Sequence, residues 1–357
     1  MRIHLLGLPH TITHRRFSHC AFTGKIRRFA PMLQAVGYEV VHYGVEGAES
    51  GAKEQVEILT YETWRELGGA EPSQVQFGSS LSLDSTLYRT FNQILARELQ
   101  ERVEYGDVVA FPMGIAHQPA AQKISLRSYF LETGIGYPVA WTPHRVYESY
   151  AWLHFHLGKS PLPSGEGNDY WWVIPNYYEP DDWPLGDGAG DYVAYLGRLN
   201  WDKGMQIIVA MATARPDLTF WLCGQGDPRP WLIRPNIRYR PPIHGDGVAE
   251  YLGAARCVVM PTRYVEPFGG VSVESMLCGT PVLGSSFGAF TETLEPEFRC
   301  HTLQEWLDGL ERAPHVDRAA LQMSAIRRYS TEVIGPKYAR VLRQIADLGR
   351  EGWNTRR

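Results

Sequence analysis

Short apolar runs alternate along this chain with stretches whose apolar residues recur every three or four positions. RIHLLGL, YEVVHYG, VEILTY, DVVAFPMG, PVAWTP and WWVIP have strand length and are almost continuously apolar. Such runs suit strands of a parallel sheet covered on both faces. KIRRFAPMLQAVG sets Ile26, Phe29, Met32, Leu33 and Val36 on one helical face, with Gly37 as its stop and Pro31 in its first turns or at a kink. A polar loop from Pro9 to Gly24 is expected before it. SLDSTLYRTFNQILARELQERV predicts an amphipathic helix opened by a Ser or Asp cap. The cluster Tyr147, Tyr150, Trp152, His154, Phe155 and His156 predicts a mostly buried helix.

KSPLPSGEGND is a loop by composition, and NYYEPDDWPLGDGAGD is a second one that divides the chain. Beyond it the alternation restarts with YVAYLGRL, LTFWLCG, CVVMPT and TPVLGS, separated by helical segments. EVIGPKYARVLRQIADL predicts a closing helix. The expectation is an α/β protein of two Rossmann-like, doubly wound parallel-sheet domains, residues 1–178 and 179–335. Residues 336–357 would form the closing helix, free to pack back on the first domain.

Composition adds little to that picture. The 357 residues suffice for two domains. A charged fraction of 21% and a net charge of -4 supply no bulk attraction to nucleic acid or acidic membrane. The five cysteines show no Cys-x-x-Cys spacing, so neither a zinc site nor a redox dithiol is expected, and no other metal or resident cofactor either. No run approaches the roughly 18 apolar residues of a spanning helix, no leader is visible, and a cytoplasmic protein, at most peripheral on a membrane, is expected.

One asymmetry hides in the average. From Met1 to Tyr38 there is no Asp or Glu, while Arg2, Arg15, Arg16, Lys25, Arg27 and Arg28 are present beside His4, His10, His14 and His19. The stretch is either a solvated basic surface or a rim for an anion. On the second reading His14, Arg15 and Lys25, with His144 and Arg145 of WTPHRVYESYAW, are candidates to bind an acceptor that carries phosphate.

The strongest chemical signal is VVMPTRYVEPFGGVSVESMLCGTPVLGSS. An apolar strand is followed by a loop with Glu266, Pro267, Phe268, Gly269 and Gly270, then by a helix that starts near Val271 and ends at Gly279. The glycines let backbone N–H groups approach a ligand, and the helix start suits a phosphate. Glu266, before the helix, and Glu274, expected in its first turn, are suited to accept hydroxyl hydrogen bonds from a sugar and a ribose. Upstream, YLGRLNWDKG puts Arg198 and Lys203 after a strand, at the sheet edge where open α/β folds bind ligands. Two such cations can neutralise a leaving diphosphate without a metal. Backbone groups near Ile243, after NIRYRPP, are placed to read a base.

The ordered set Val173-Ile174-Pro175-Asn176, GRLNWDKG, CGQGDPR and EPFGGVSVESMLCGTPVLGS resembles the retaining glycosyltransferases of family 4, from residue 173 to about 295. The resemblance implies the GT-B fold, two facing Rossmann-like domains with a cleft between them. It implies that Arg198 and Lys203 hold the donor diphosphate, that Glu274 binds the donor ribose and that Glu266 lies beside the transferred sugar. It further implies that Phe268, Gly269, Gly270 and Val271 contact phosphate and sugar. In AFPMGIAHQP it implies His117 as the histidine near the sugar and the acceptor, a catalytic candidate together with Glu266 and with His144 as a rival, and it matches Gly24 to a loop glycine near the diphosphate. Two departures concern the acceptor side. HTITHRRFSHCAFTG stands in place of a glycine-rich loop, and Pro-Asn-Tyr-Tyr-Glu in place of PNGVD.

The implied activity is transfer of a sugar, with retention, from a nucleoside diphosphate sugar to an acceptor hydroxyl. UDP is the expected donor nucleotide, because it is common in the family that the chain resembles. On the anion-binding reading of the acid-free N-terminal stretch, the acceptor carries phosphate: a sugar phosphate, a lipid phosphate or a nucleic acid bearing a hydroxylated base. A sugar-nucleotide epimerase or a glycoside phosphorylase on the same fold is the alternative.

Overall fold

The computed structural model describes residues 1–17, 20–71, 82–124, 128–159 and 170–348. His19 and most of the KSPLPSGEGND segment lie outside the described residues. The chain divides into two units. The first comprises residues 1–148, 170–177 and 331–348, and the second residues 149–159 and 178–330.

The first half of the chain runs β1 (Arg2–Leu6), α1 (Ala21–Ala35), β2 (Glu39–Val45), β3 (Glu54–Leu59), α2 (Tyr61–Glu66), α3 (Thr86–Arg102), β4 (Val108–Phe111) and α4 (Gly114–Ala121). It continues with β5 (Tyr129–Ile135), β6 (His144–Tyr147), α5 (Tyr150–Lys159) and β7 (Trp171–Val173). The second half runs β8 (Tyr192–Leu196), α6 (Met205–Ala214), β9 (Thr219–Cys223), β10 (Ile237–Arg240), α7 (Asp246–Ala254), β11 (Cys257–Met260) and α8 (Gly270–Leu277). There follow β12 (Val282–Ser285), α9 (Phe290–Thr293), β13 (Arg299–Cys300), α10 (Leu303–Arg312), α11 (Arg318–Tyr329) and α12 (Thr331–Leu348).

The strands form two parallel sheets, ordered β3-β2-β1-β4-β5-β6-β7 and β10-β9-β8-β11-β12-β13. Each sheet reverses its winding beside its first strand, β1 or β8, the place where such folds open a ligand crevice. The apolar runs explain the layering. Ile3, Val40 and Val108 face one layer, while Leu6, Val41 and Val109 face the other. The closing helix α12 belongs to the first unit, where Tyr338 meets Phe29 edge-on at 5.0 Å and Tyr177 at 6.0 Å.

Four sequence expectations change. First, α1 begins at Ala21, so Gly24 lies inside the helix rather than in a loop before it, and Pro31 sits in its later turns on an exposed position. Second, PVAWTP is not a strand. The strand of that region is β5, whose YFLETGI sequence carries Glu132. That carboxylate is fully buried and is satisfied from the loop that follows. The Tyr137 hydroxyl and the Trp141 and Thr142 amides donate to it, each at 3.0 Å. Gly114 is needed beside it, since a Cβ there would stand 1.9 Å from Glu132 Oε1.

Third, α5 falls with the second unit although the chain before and after it belongs to the first. Its first amides, Tyr150 and Ala151, donate to the Glu292 carboxylate at 2.9 and 2.8 Å. Ser149 Oγ donates to the Pro267 carbonyl at 2.6 Å. Fourth, Trp152 is the one fully buried side chain among the described α5 residues, so this is not a core helix, and Tyr147 lies on β6.

Candidate functional site

The site is built at the carboxyl ends of β8 and β11, neighbours in the second sheet. After β8, Gly197 turns the chain at φ +156, and Arg198 follows with an exposed side chain. Asn200 Oδ1 accepts from the Lys203 amide at 2.9 Å and closes a short turn over Trp201–Lys203. Gly204 then adopts φ +76, and a Cβ on it would lie 1.9 Å from the Pro261 carbonyl. Only glycine permits that approach, which lays the β8–α6 loop against the loop after β11. The Arg263 amide donating to Asp202 O at 2.8 Å ties the two together.

Lys203 is thereby brought to Glu266, 63 residues away in sequence. Its Nζ donates to Glu266 Oε2 at 2.8 Å. The ammonium also lies 4.8 Å from the centre of the Tyr264 ring. Burial disfavours its charge, but Glu266 and Tyr264 outweigh burial, and the Lys203 pKa stands above its ordinary value. The same surroundings, burial first and Glu266 second, raise the Tyr264 hydroxyl. Among the described residues Arg198 meets no carboxylate.

The loop then delivers a helix start. Phe268 is buried and meets Tyr329 edge-on at 5.9 Å. Gly269 takes φ +76 as the N-cap of α8, and the Phe290 ring would stand 2.7 Å from any Cβ there. No side chain caps this N-terminus, so the Gly270 and Val271 amides are the donors it presents. Glu274 is the fifth residue of α8, in its second turn rather than its first. It is half-buried, and Oε1 leans back toward Gly270, within 3.7 Å of where a Cβ would be. Helical side chains tilt toward the N-terminus, so the later position still serves the helix start. Ile243, just beyond β10, packs half-buried on the core of this unit. Arg198, Lys203, Glu266, Phe268, Gly269, Gly270, Val271 and Glu274 thus share two adjoining loops and one helix start.

The candidates of the first unit are dispersed. His117 lies on α4 and is fully buried. Asn92 donates through Nδ2 to Ala116 O at 2.9 Å, which turns its Oδ1 to His117 Nδ1 at 3.0 Å. Nδ1 therefore carries the proton. Nε2 is buried and has no hydrogen-bond partner among the described residues. Burial drives the ring's pKa down to about 4. Lys25 is buried, donates to Gly134 O at 2.9 Å and pairs with Glu148. His14 pairs with Glu49 at 3.3 Å, and Arg15 is exposed. On β6, His144 Nδ1 meets Phe130 O at 3.1 Å, and Arg145 donates to Thr142 O while stacking on Trp171.

Within the acid-free N-terminal stretch, Arg2, His4, His14 and Lys25 meet carboxylates supplied from later in the chain. Sequence reasoning missed Tyr264, two positions before Glu266, and Glu292, whose role at α5 has no local signature. Among the described residues no cluster of three or more His, Cys, Asp or Glu side chains is placed to hold a metal, and no helix is long and apolar enough to cross a membrane.

Comparison with known proteins bears on the same region. Residues 190–310 match the family model Glycosyl transferases group 1. The uncharacterized glycosyltransferase MJ1607 of Methanocaldococcus jannaschii is 32% identical over 116 residues, 29% of this chain and 30% of that protein. D-inositol 3-phosphate glycosyltransferase of Mycobacterium avium is 27% identical over 186 residues, 43% of each. The matches thus span about a third to under half of these relatives' length. The solved structure of Anabaena Alr3699/HepE in complex with UDP and glucose is similar over 96% of this chain and 100% of that one, with a TM-score of 0.67 and 15% identity. The chain has the GT-B fold, and the match to the glycosyl transferases group 1 model falls within its second unit.

Proposed function

We propose that this chain is a nucleotide-sugar-dependent glycosyltransferase that moves a sugar to an acceptor hydroxyl with retention. The observation that carries the proposal is the convergence of Lys203, Glu266 and the uncapped start of α8 on adjoining loops of one unit. A helix start with two free amides and a nearby cation suits a diphosphate. Arg198 is exposed at the same sheet edge and adds a second cation to the growing charge of the leaving group. Glu274, leaning toward that helix start, is placed for ribose hydroxyls, and Glu266 for those of the sugar. Ile243 supplies backbone to the base. A leaving diphosphate that itself takes the acceptor proton needs no dedicated protein base, and a fully buried, neutral His117 is consistent with a role in packing or sugar contact rather than proton transfer.

UDP is the proposed nucleotide, supported by the UDP complex of a protein of the same fold. For the acceptor the proposal is a phosphate-bearing hydroxyl compound. Its candidate residues are His14, Arg15, Lys25, His144 and Arg145, of which Lys25 and His14 would have to exchange the carboxylates they already hold. A nucleic-acid acceptor would make binding fall steeply with salt. The deciding experiment is a thermal-shift screen of UDP, GDP, ADP and their sugars. A ligand at a hundred times its Kd should add about 2.7 kcal/mol of stability. Turnover that releases nucleoside diphosphate only when an acceptor is added completes the test, because a phosphorylase or epimerase does not behave so.

A further inference from the structure

Lys203 and Arg198 would both be asked to hold a diphosphate, yet the structure leaves them in different states. Arg198 is exposed and meets no carboxylate among the described residues. Lys203 is committed. Its ammonium donates to Glu266 at 2.8 Å, and the two side chains keep 16% and 11% of their exposure. The Tyr264 ring borders the ammonium at 4.8 Å, and its hydroxyl interacts with both charges.

A carboxylate that accepts from an ammonium has fewer lone pairs left for sugar hydroxyls. An ammonium spent on a carboxylate gives less of its charge to a phosphate. Lysine suits an exchange of partners, since it is a point charge on a flexible stem with three donors. A diphosphate also carries more negative charge than one carboxylate. We propose that the Lys203–Glu266 pair is an exchangeable latch: Glu266 and Tyr264 hold the ammonium in the empty site, and an arriving diphosphate draws it off and frees the Glu266 carboxylate for hydroxyls. Tyr264 is then a positioning residue, acting on the reaction through Lys203 and Glu266. This rests on the reading of the site as one for a nucleoside diphosphate.

The consequence has an unusual sign. Glu266 and the diphosphate compete for one cation, so removing the carboxylate strengthens diphosphate binding, whereas removal of a group that simply contacts the ligand weakens it. The test is calorimetric titration of the full chain with UDP, GDP and ADP, continued with whichever binds the wild type and with inorganic pyrophosphate. For close charge pairs, coupling of the usual size predicts that Glu266→Gln tightens nucleotide binding about tenfold. Tyr264→Phe, which keeps the ring, tightens it by less, about twofold to threefold on the same grounds. Lys203→Met weakens binding, and adding Glu266→Gln to it gives no gain.

Unchanged or weaker binding by a cooperatively melting Glu266→Gln protein overturns the latch, as does a gain that survives in the Lys203→Met background. Should Glu266→Gln fail to fold, Tyr264→Phe carries the same test of sign. A wild type that binds none of the three nucleotides removes the donor reading and the latch with it. A wild type that binds one, with no gain in either variant, removes the latch alone.

Discussion

At the scale of single residues, two groups of side chains make opposite demands on the solvent. Glu274 must stay accessible and charged if it is to hold two ribose hydroxyls. Glu274→Gln should therefore weaken UDP binding by roughly tenfold to a hundredfold, the worth of one or two charge-assisted hydrogen bonds. Calorimetry checks this, and unchanged affinity would place the ribose elsewhere. The histidines of the first unit demand the reverse. Burial drives His10, His42 and His117 each down to about 4. In the unfolded chain they titrate near the ordinary value of 6.5. Between those pH values the unfolded chain binds more protons than the folded one, so stability rises with pH across that window and is lost as pH falls through it. Each histidine costs up to about 1.4 kcal/mol per pH unit there. The melting temperature should be level above pH 7 and drop steeply from pH 6.5 toward 4. His42→Gln should flatten the drop, and a wild-type profile level down to pH 5 would show that these rings are not held neutral.

At the scale of elements, ion pairs and caps decide what moves with what. Lys25 and Glu148 join α1 to the end of β6 in the first unit, with side chains only 6% and 7% exposed. Removing one partner strands the other as a buried charge. Lys25→Met should then cost about 3–5 kcal/mol by thermal or urea unfolding while leaving UDP affinity intact. A stable Lys25→Met protein that loses acceptor turnover would instead return Lys25 to the acceptor site. At α5, Glu292→Ala should cost about 1 kcal/mol, the worth of an N-cap, and speed hydrogen exchange at the Tyr150 and Ala151 amides. Protection unchanged at those two amides would mean that Glu292 does not hold the helix. These cases also show what the sequence could and could not convey. Strands β1, β2, β8 and β11 were legible because they are apolar on both sides, and the start of α8 because Gly269 and Gly270 precede a helical pattern. Strand β5 was not, since a charged Glu132 in its middle argues for surface, and its hydrogen-bond donors come from the later loop that itself reads as a strand. Gly24 discourages a helix locally, yet α1 runs through it on the burial of Ile26, Phe29 and Leu33. The residue types of the candidate site were readable from EPFGG and GRLNWDKG. The pairing of Lys203 with Glu266 was not, because it depends on Gly204 seating one loop against another.

At the scale of the whole molecule, the chain enters the second unit and then returns. Helix α12 closes the core of the first unit with Ile334, Tyr338, Val341, Leu342 and Ile345, all nearly inaccessible to solvent. The proposed diphosphate and ribose groups, Arg198, Lys203, Gly270 and Glu274, all lie in the second. Stability and donor binding are therefore separable by where the chain is cut. A chain ending at Ser330 loses the side chains that cover Phe29 and Tyr177 in the first unit. Losing the burial of five large apolar side chains, at about 1.5–3 kcal/mol each, is comparable to the whole stability of a typical domain. Scanning calorimetry of the full chain should show more than one transition, as independent units do, with UDP raising only that of the second. The truncated chain should lose the first unit's transition and retain a second-unit transition that UDP still raises. If that transition survives but no longer responds to UDP, a group in the first unit completes the donor site, with His117 the candidate to test next. If both transitions vanish together, the two units fold as one, and the division of labour between donor binding and the α12-closed core does not hold.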